Sequence, residues 1–129
     1  MSAPGSTEIG ILAYREAMVL DAAAVINALC GLLGQRLVAY IGSVKETRAV
    51  RQWIAKERAP SQHVVKVLRD AYHIAVLLNG TNSPEVVQAW FQGMNPLLDD
   101  QPPAKLLREG ETDEAAHRVL AAARAFCAV

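Results

Sequence analysis

The stretch between Pro60 and Gly80 leaves this chain little freedom of fold. Val64, Val67, Leu68, Ala71, Tyr72, Ala75 and Leu78 recur at helical spacing, and Val65, Ile74 and Leu77 widen the apolar surface around them. A helix apolar over so much of its circumference is either the centre of a fold or part of a helix–helix interface. Ser61 after Pro60 is an N-cap and Gly80 a C-terminal stop, so the helix spans residues 61–79. The rest of the chain supplies partners of the same kind. Apolar residues are 52% of the total, aromatics only 5%, and much of the apolar content is alanine. That mix favours closely packed helices, because strands draw on β-branched and aromatic side chains. With no strand-like alternation and no internal repeat, the expected fold class is all-α.

Other elements follow from caps and periodicity. Residues 1–15 are expected to form a flexible N-terminal tail, Ser/Gly/Pro/Ala-rich over residues 1–7. A first helix is expected from about residue 9 or 16 to Leu33, with Gly31 and Gly34 as stops, and a short one from Gln35 to Ile41. Ser43-Val44-Lys45-Glu46 has the form of a capping box, which predicts a helix over residues 44–57 with Ala49, Val50, Trp53 and Ile54 on its inner face. Ser83-Pro84-Glu85 starts a helix carrying Val86, Val87, Trp90 and Phe91. A loop with Asp99, Asp100, Pro102 and Pro103 then leads to a short helix over 104–109 and a last one over 112–126.

The net charge of zero hides a segregation. Residues 35–69 hold eight basic side chains against two acidic ones, a surplus of six, whereas residues 83–129 hold four basic against seven acidic. A basic half joined to an acidic half predicts two surfaces with different partners. Two helices joined by a short turn in the basic half match the layout that lays one helix in the DNA major groove. Thr47, Arg48, Arg51 and Gln52 lie on the outer face of that second helix. Arginine pairs with guanine, glutamine with adenine, and threonine meets the thymine methyl. Lys45, Lys56 and Arg58 sit where phosphate contacts are usual. The competing reading is an ordinary solvated helix face.

Catalytic patterns are missing. Of the three histidines, His63, His73 and His117, the first two are ten residues apart on one helix, nearly three turns, too far to share a metal. There is no glycine-rich phosphate loop and no strand–turn–helix to carry a nucleophile. The chain therefore reads as a non-enzyme with neither cofactor nor metal. Cys30 and Cys127 read as buried thiols in a reducing cytoplasm. The N-terminus lacks a basic n-region, and the longest apolar run, residues 20–33, is broken by Asp21 and Asn27, so neither a signal peptide nor a membrane span is expected. The chain finishes on Arg124-Ala125-Phe126-Cys127-Ala128-Val129, either a docked last turn or a segment for a groove on another protein.

Ala89-Trp90-Phe91, Asn95-Pro96-Leu97-Leu98, the run from Pro103 through Leu106-Leu107-Arg108 to Gly110, and residues 118–126 together resemble the toxin-binding C-terminal domain of the MbcA/ParS/Xre antitoxins. Val50, Arg51 and Trp53 followed by Pro60 resemble the helix-turn-helix that precedes it, and the likeness covers roughly residue 32 to the end. The resemblance implies a type II antitoxin that dimerises, binds its own promoter as operator DNA, and pairs with a RES-domain toxin that consumes NAD. It implies a helix-turn-helix region over residues 16–80 and a toxin-binding module over 81–129. In that module Trp90 and Leu98, with Leu97 and Leu107, act as scaffold for Arg124, Phe126 and Val129, the end that blocks the toxin's active site. Two other readings remain open: a free-standing repressor whose C-terminal module only dimerises, and a structural interaction domain with no DNA contact.

Overall fold

The computed structural model describes residues 9–11, 13 and 21–128, and over these the fold is all-α. Residues 9–11 and 13 are helical, with Ala13 fully buried; residues 1–8, 12 and 14–20 of the expected tail and first helix lie outside the described residues, as does Val129. Asp21 sits in extended backbone and its carboxylate accepts from the Ala24 N–H at 2.8 Å, so α1 starts at Ala22 and runs to Leu33. Asp21 is therefore a cap, not a residue inside a longer helix. Gly31 lies within α1, and the stop is Gly34, whose φ of 84° is glycine territory.

After α2 (Gln35–Ile41) the structure departs from the capping-box expectation. Ser43 has φ 60°, its N–H bonds to the Tyr40 carbonyl, and the Val44 N–H reaches back to the Ala39 carbonyl. These two bonds form a Schellman closure of α2 with serine at the left-handed position usually held by glycine. Gly42 just before it is tightly enclosed: a Cβ there would meet the Val38 carbonyl at 3.2 Å and the Trp53 ring at 3.3 Å. Because Ser43 ends α2, it cannot cap α3. That helix starts at Thr47, after Glu46 in extended backbone, and runs only to Ile54. Its end repeats the device: Lys56 has φ 62° and bonds to the Trp53 carbonyl, while the Glu57 N–H reaches Gln52.

The remaining elements follow the sequence closely. Ser61 caps α4 (Gln62–Asn79) through the Val64 N–H, and Ser83 caps α5 (Pro84–Gln92) through Val86. A 3-10 turn at Pro96–Leu98 is pinched by a bridge between Asn95 and Gln101. Then come α6 (Pro103–Glu109) and α7 (Thr112–Cys127), the latter capped by the Glu111 carboxylate.

α4 lies at the centre, packed by α1 on one side and α7 on the other. The core is continuous from Ala13 through α1 and α4 to Val119 and Ala123 of α7, with no buried charged side chain among the described residues. Cys30 and Cys127 are both half-buried and unbridged, and burial pushes the Cys30 thiol up to about 11, which keeps it a thiol. No helix among the described residues is long and apolar enough to cross a membrane.

Serine in the left-handed region costs roughly 1 kcal/mol. Ser43→Gly should raise stability by ~0.5–1 kcal/mol, part of the relief being offset by glycine's greater freedom in the unfolded chain. Ser43→Val should lower it instead. The urea midpoint at unchanged slope reads both.

Candidate nucleic-acid interface

α2, the 42–46 turn and α3 form the two-helix unit expected of a DNA reader, and Trp53 holds it together. Trp53, Val50 and Ala49 are buried on the inner face of α3, with the indole ring laid against Gly42. The indole Nε1–H is buried without a hydrogen-bond partner among the described residues, so packing alone fixes the ring. The opposite face carries Arg48 and Arg51, both exposed, with Thr47 and Gln52 half-buried beside them.

Four of the seven residues expected to meet DNA come together. Lys45, Thr47, Arg48 and Arg51 line one cleft of about 630 Å³. Arg51 is held in place there: its Nη1 donates to the Thr47 hydroxyl at 2.9 Å and to the Gln35 side-chain oxygen at 3.3 Å. Gln52 is not among the cleft's lining residues. Lys56 and Arg58 lie beyond the end of α3 around a separate depression with Asp21 and Pro60, and Lys56 pairs with Asp21 at 3.4 Å. The shortening of α3 explains this, since a left-handed Lys56 leaves the helix face.

The cleft also holds two cations that the sequence patterns do not single out as DNA contacts. Arg36 comes from α2, where only the charge count marks it. Arg108 comes from α6, in the acidic half of the chain. Its guanidinium lies 4.6 Å from the centre of the Tyr40 ring and donates to the Tyr40 carbonyl at 3.1 Å. Among the described residues no carboxylate lies within ion-pair distance of Arg36, Lys45, Arg48, Arg51 or Arg108, whereas Lys56 and Arg118 each have one and Lys66 has two. Glu46 is the sole acid lining the cleft among the described residues.

The C-terminal residues divide between core and surface. Leu98 is 1% exposed and belongs to the core, while its neighbour Leu97 is 63% exposed. Trp90 packs edge-on against the buried Phe91 at 5.3 Å between ring centres and meets Phe126 at 6.3 Å. Phe126 itself is 41% exposed, and Arg124 is exposed on the same final helix.

Lys66, Asp70, His73, Asp113 and His117 gather around a small cavity of about 200 Å³ between α4 and α7. Lys66 bridges Asp70 at 3.1 Å and Asp113 at 3.6 Å. Burial raises the Asp70 carboxyl, with Lys66 pulling against it. No group of three or more His, Cys, Asp or Glu among the described residues could hold a metal ion. His63 sits elsewhere, its Nδ1 3.4 Å from the Thr112 hydroxyl.

Comparison of the chain with known family models, with curated proteins and with solved structures returns no match. A functional reading therefore stands on these residues and the sequence patterns that carry them.

Burial, followed by the positive charge of Arg124, lowers the His73 value below its ordinary 6.5, with Asp70 opposing. The unfolded chain then binds this proton more tightly than the folded one. Stability carried by neutral His73 is thus complete above pH 6.5 and falls as pH drops through and below that value. Thermal melts across this range should show the loss, and His73→Gln should flatten it.

Proposed function

We propose that this protein is an antitoxin-type transcription regulator acting in the cytoplasm as a dimer. α3 and its flanking turn bind operator DNA, and the C-terminal end occupies the active site of a RES-domain, NAD-consuming toxin. The observation that carries the DNA half is the cleft where Arg36, Lys45, Arg48, Arg51 and Arg108 meet without paired carboxylates. Concentrated positive charge beside an exposed helix face matches a phosphate backbone and the base edges between its strands. Within this reading Arg48 has the freer guanidinium and reads a base, while Arg51, tethered to Thr47 and Gln35, is oriented for one approach. Lys56 and Arg58, past the end of α3, flank the contact.

The partner half is supported by the resemblance of residues 89–126 and by apolar side chains left in water: Phe126 beside Trp90, with Val86, Met94 and Leu97. Large apolar side chains exposed to water are a common mark of a protein-binding surface. The same surface would serve self-association in a free-standing repressor, so two measurements separate the readings.

Arg48→Ala and Arg51→Ala should each cost ~1–3 kcal/mol of specific binding to the chain's own upstream DNA. Unchanged affinity in both would remove base reading from α3. Deleting residues 126–129 should leave DNA affinity and helix content intact while abolishing neutralisation of a co-expressed RES-domain toxin. Loss of the dimer with neutralisation retained would instead identify a dimerisation tail.

A further inference from the structure

We infer that α6, in the C-terminal half of the chain, is a second DNA contact, with Lys105 and Arg108 gripping backbone phosphates beside the groove that α3 enters. This rests on the DNA-binding reading above but does not follow from it, since a helix-turn-helix needs no help from a later helix.

The geometry of α6 makes the case. Its seven residues are sharply two-sided: Ala104, Leu106 and Leu107 are buried, while Lys105 and Arg108, three apart and therefore on one face, are exposed. α6 packs on α2, and Arg108 turns onto α2 at Tyr40 and into the basic cleft. Lys105 lines an adjoining groove of about 540 Å³. Arg36 and Tyr40 border both hollows, so the two cations of α6 continue the cationic surface of α3 without a gap.

Each cation is available to a ligand. Lys105 makes no hydrogen bond or ion pair among the described residues, and no carboxylate pairs with Arg108. The bond from Arg108 to the Tyr40 carbonyl uses one Nη1 donor, and the ring supports the guanidinium, leaving the remaining N–H groups to a ligand in a fixed fork. A planar, pre-set fork is the arrangement that favours arginine over lysine for phosphate. A purely structural role, fastening α6 to α2, would account for Arg108 but not for Lys105, which fastens nothing.

Phosphate contacts are independent of sequence, so the probe is a fluorescein-labelled mixed-sequence duplex of two helical turns, titrated with the intact chain from 50 to 200 mM salt. The slope of log affinity against log salt should fall by about 0.9 for each phosphate that is no longer neutralised. Lys105→Gln and Arg108→Gln should each show that fall, the double variant twice as much, and Arg108→Lys should restore the slope because it keeps the charge. Unchanged slopes in all of them, with the wild type still binding steeply, would overturn the role of α6 and leave the α3 reading standing. A wild type that does not bind at the lowest salt would overturn both. If melting curves show that the Arg108 variants do not fold, Lys105→Gln decides alone, since that side chain is exposed and bonded to nothing among the described residues.

Discussion

The burial of α4 is the constraint on which the rest of the molecule depends. Eight of its eighteen residues are buried, and they point to both sides: α1 packs on one, α7 on the other. With so few aromatic side chains to fill space, the helices must approach closely, and alanine permits it. Ala71 and Ala75 of α4 and Ala115, Ala122 and Ala123 of α7 are all buried. Small side chains at a crossing shorten the distance between helix axes, which recovers packing density without large residues. The two functional candidates inherit their positions from this sandwich. α1 carries α2 and α3 with it, and α7 carries α6 and the Trp90–Phe126 edge.

What can be read from the sequence is what local chemistry decides alone. Ser61 and Ser83 cap the helices they precede, and the apolar rows of α4 and α5 face inward as their spacing requires. α3 departs from expectation because two local signals compete for one segment. Ser43 and Glu46 have the spacing of a capping box, but α2 also needs an ending, and the left-handed residue that closes it is Ser43. Gly42 keeps φ −78°, with the Trp53 ring close by, and the left-handed turn falls on Ser43. The bonds that close α2, from Ser43 to Tyr40 and from Val44 five residues back to Ala39, thus take the place of the capping box. Sequence patterns with a reach of three or four residues do not register the longer of the two.

The cleft's unexpected members have a similar cause. Arg108 stands 68 residues from the Tyr40 carbonyl it binds, in a stretch whose overall charge is acidic. A count of charges by segment therefore assigns it to the wrong surface. Its own helix does carry a signal, since Lys105 and Arg108 share the polar face of a short helix whose other face is leucine. That signal says the two project together; only the docking of α6 on α2 says where.

Charge placement gives the cleft its significance. The chain has thirteen basic and thirteen acidic side chains, enough to pair every cation. The four carboxylates that form ion pairs among the described residues do so at other places: Asp21 with Lys56, Asp70 and Asp113 with Lys66, Asp99 with Arg118. Exposed pairs of this kind contribute little to stability, so the fold would lose almost nothing by moving one of those acids beside Arg36 or Arg48. Leaving five cations around one hollow carries a repulsive cost instead, because like charges within a Debye length raise one another's energy. Folding stability supplies no reason for that arrangement. On the proposed DNA-binding reading a polyanion would supply one, since it would turn the repulsion into attraction on binding, and the tethered Arg51 and Arg108 would have little side-chain freedom to lose.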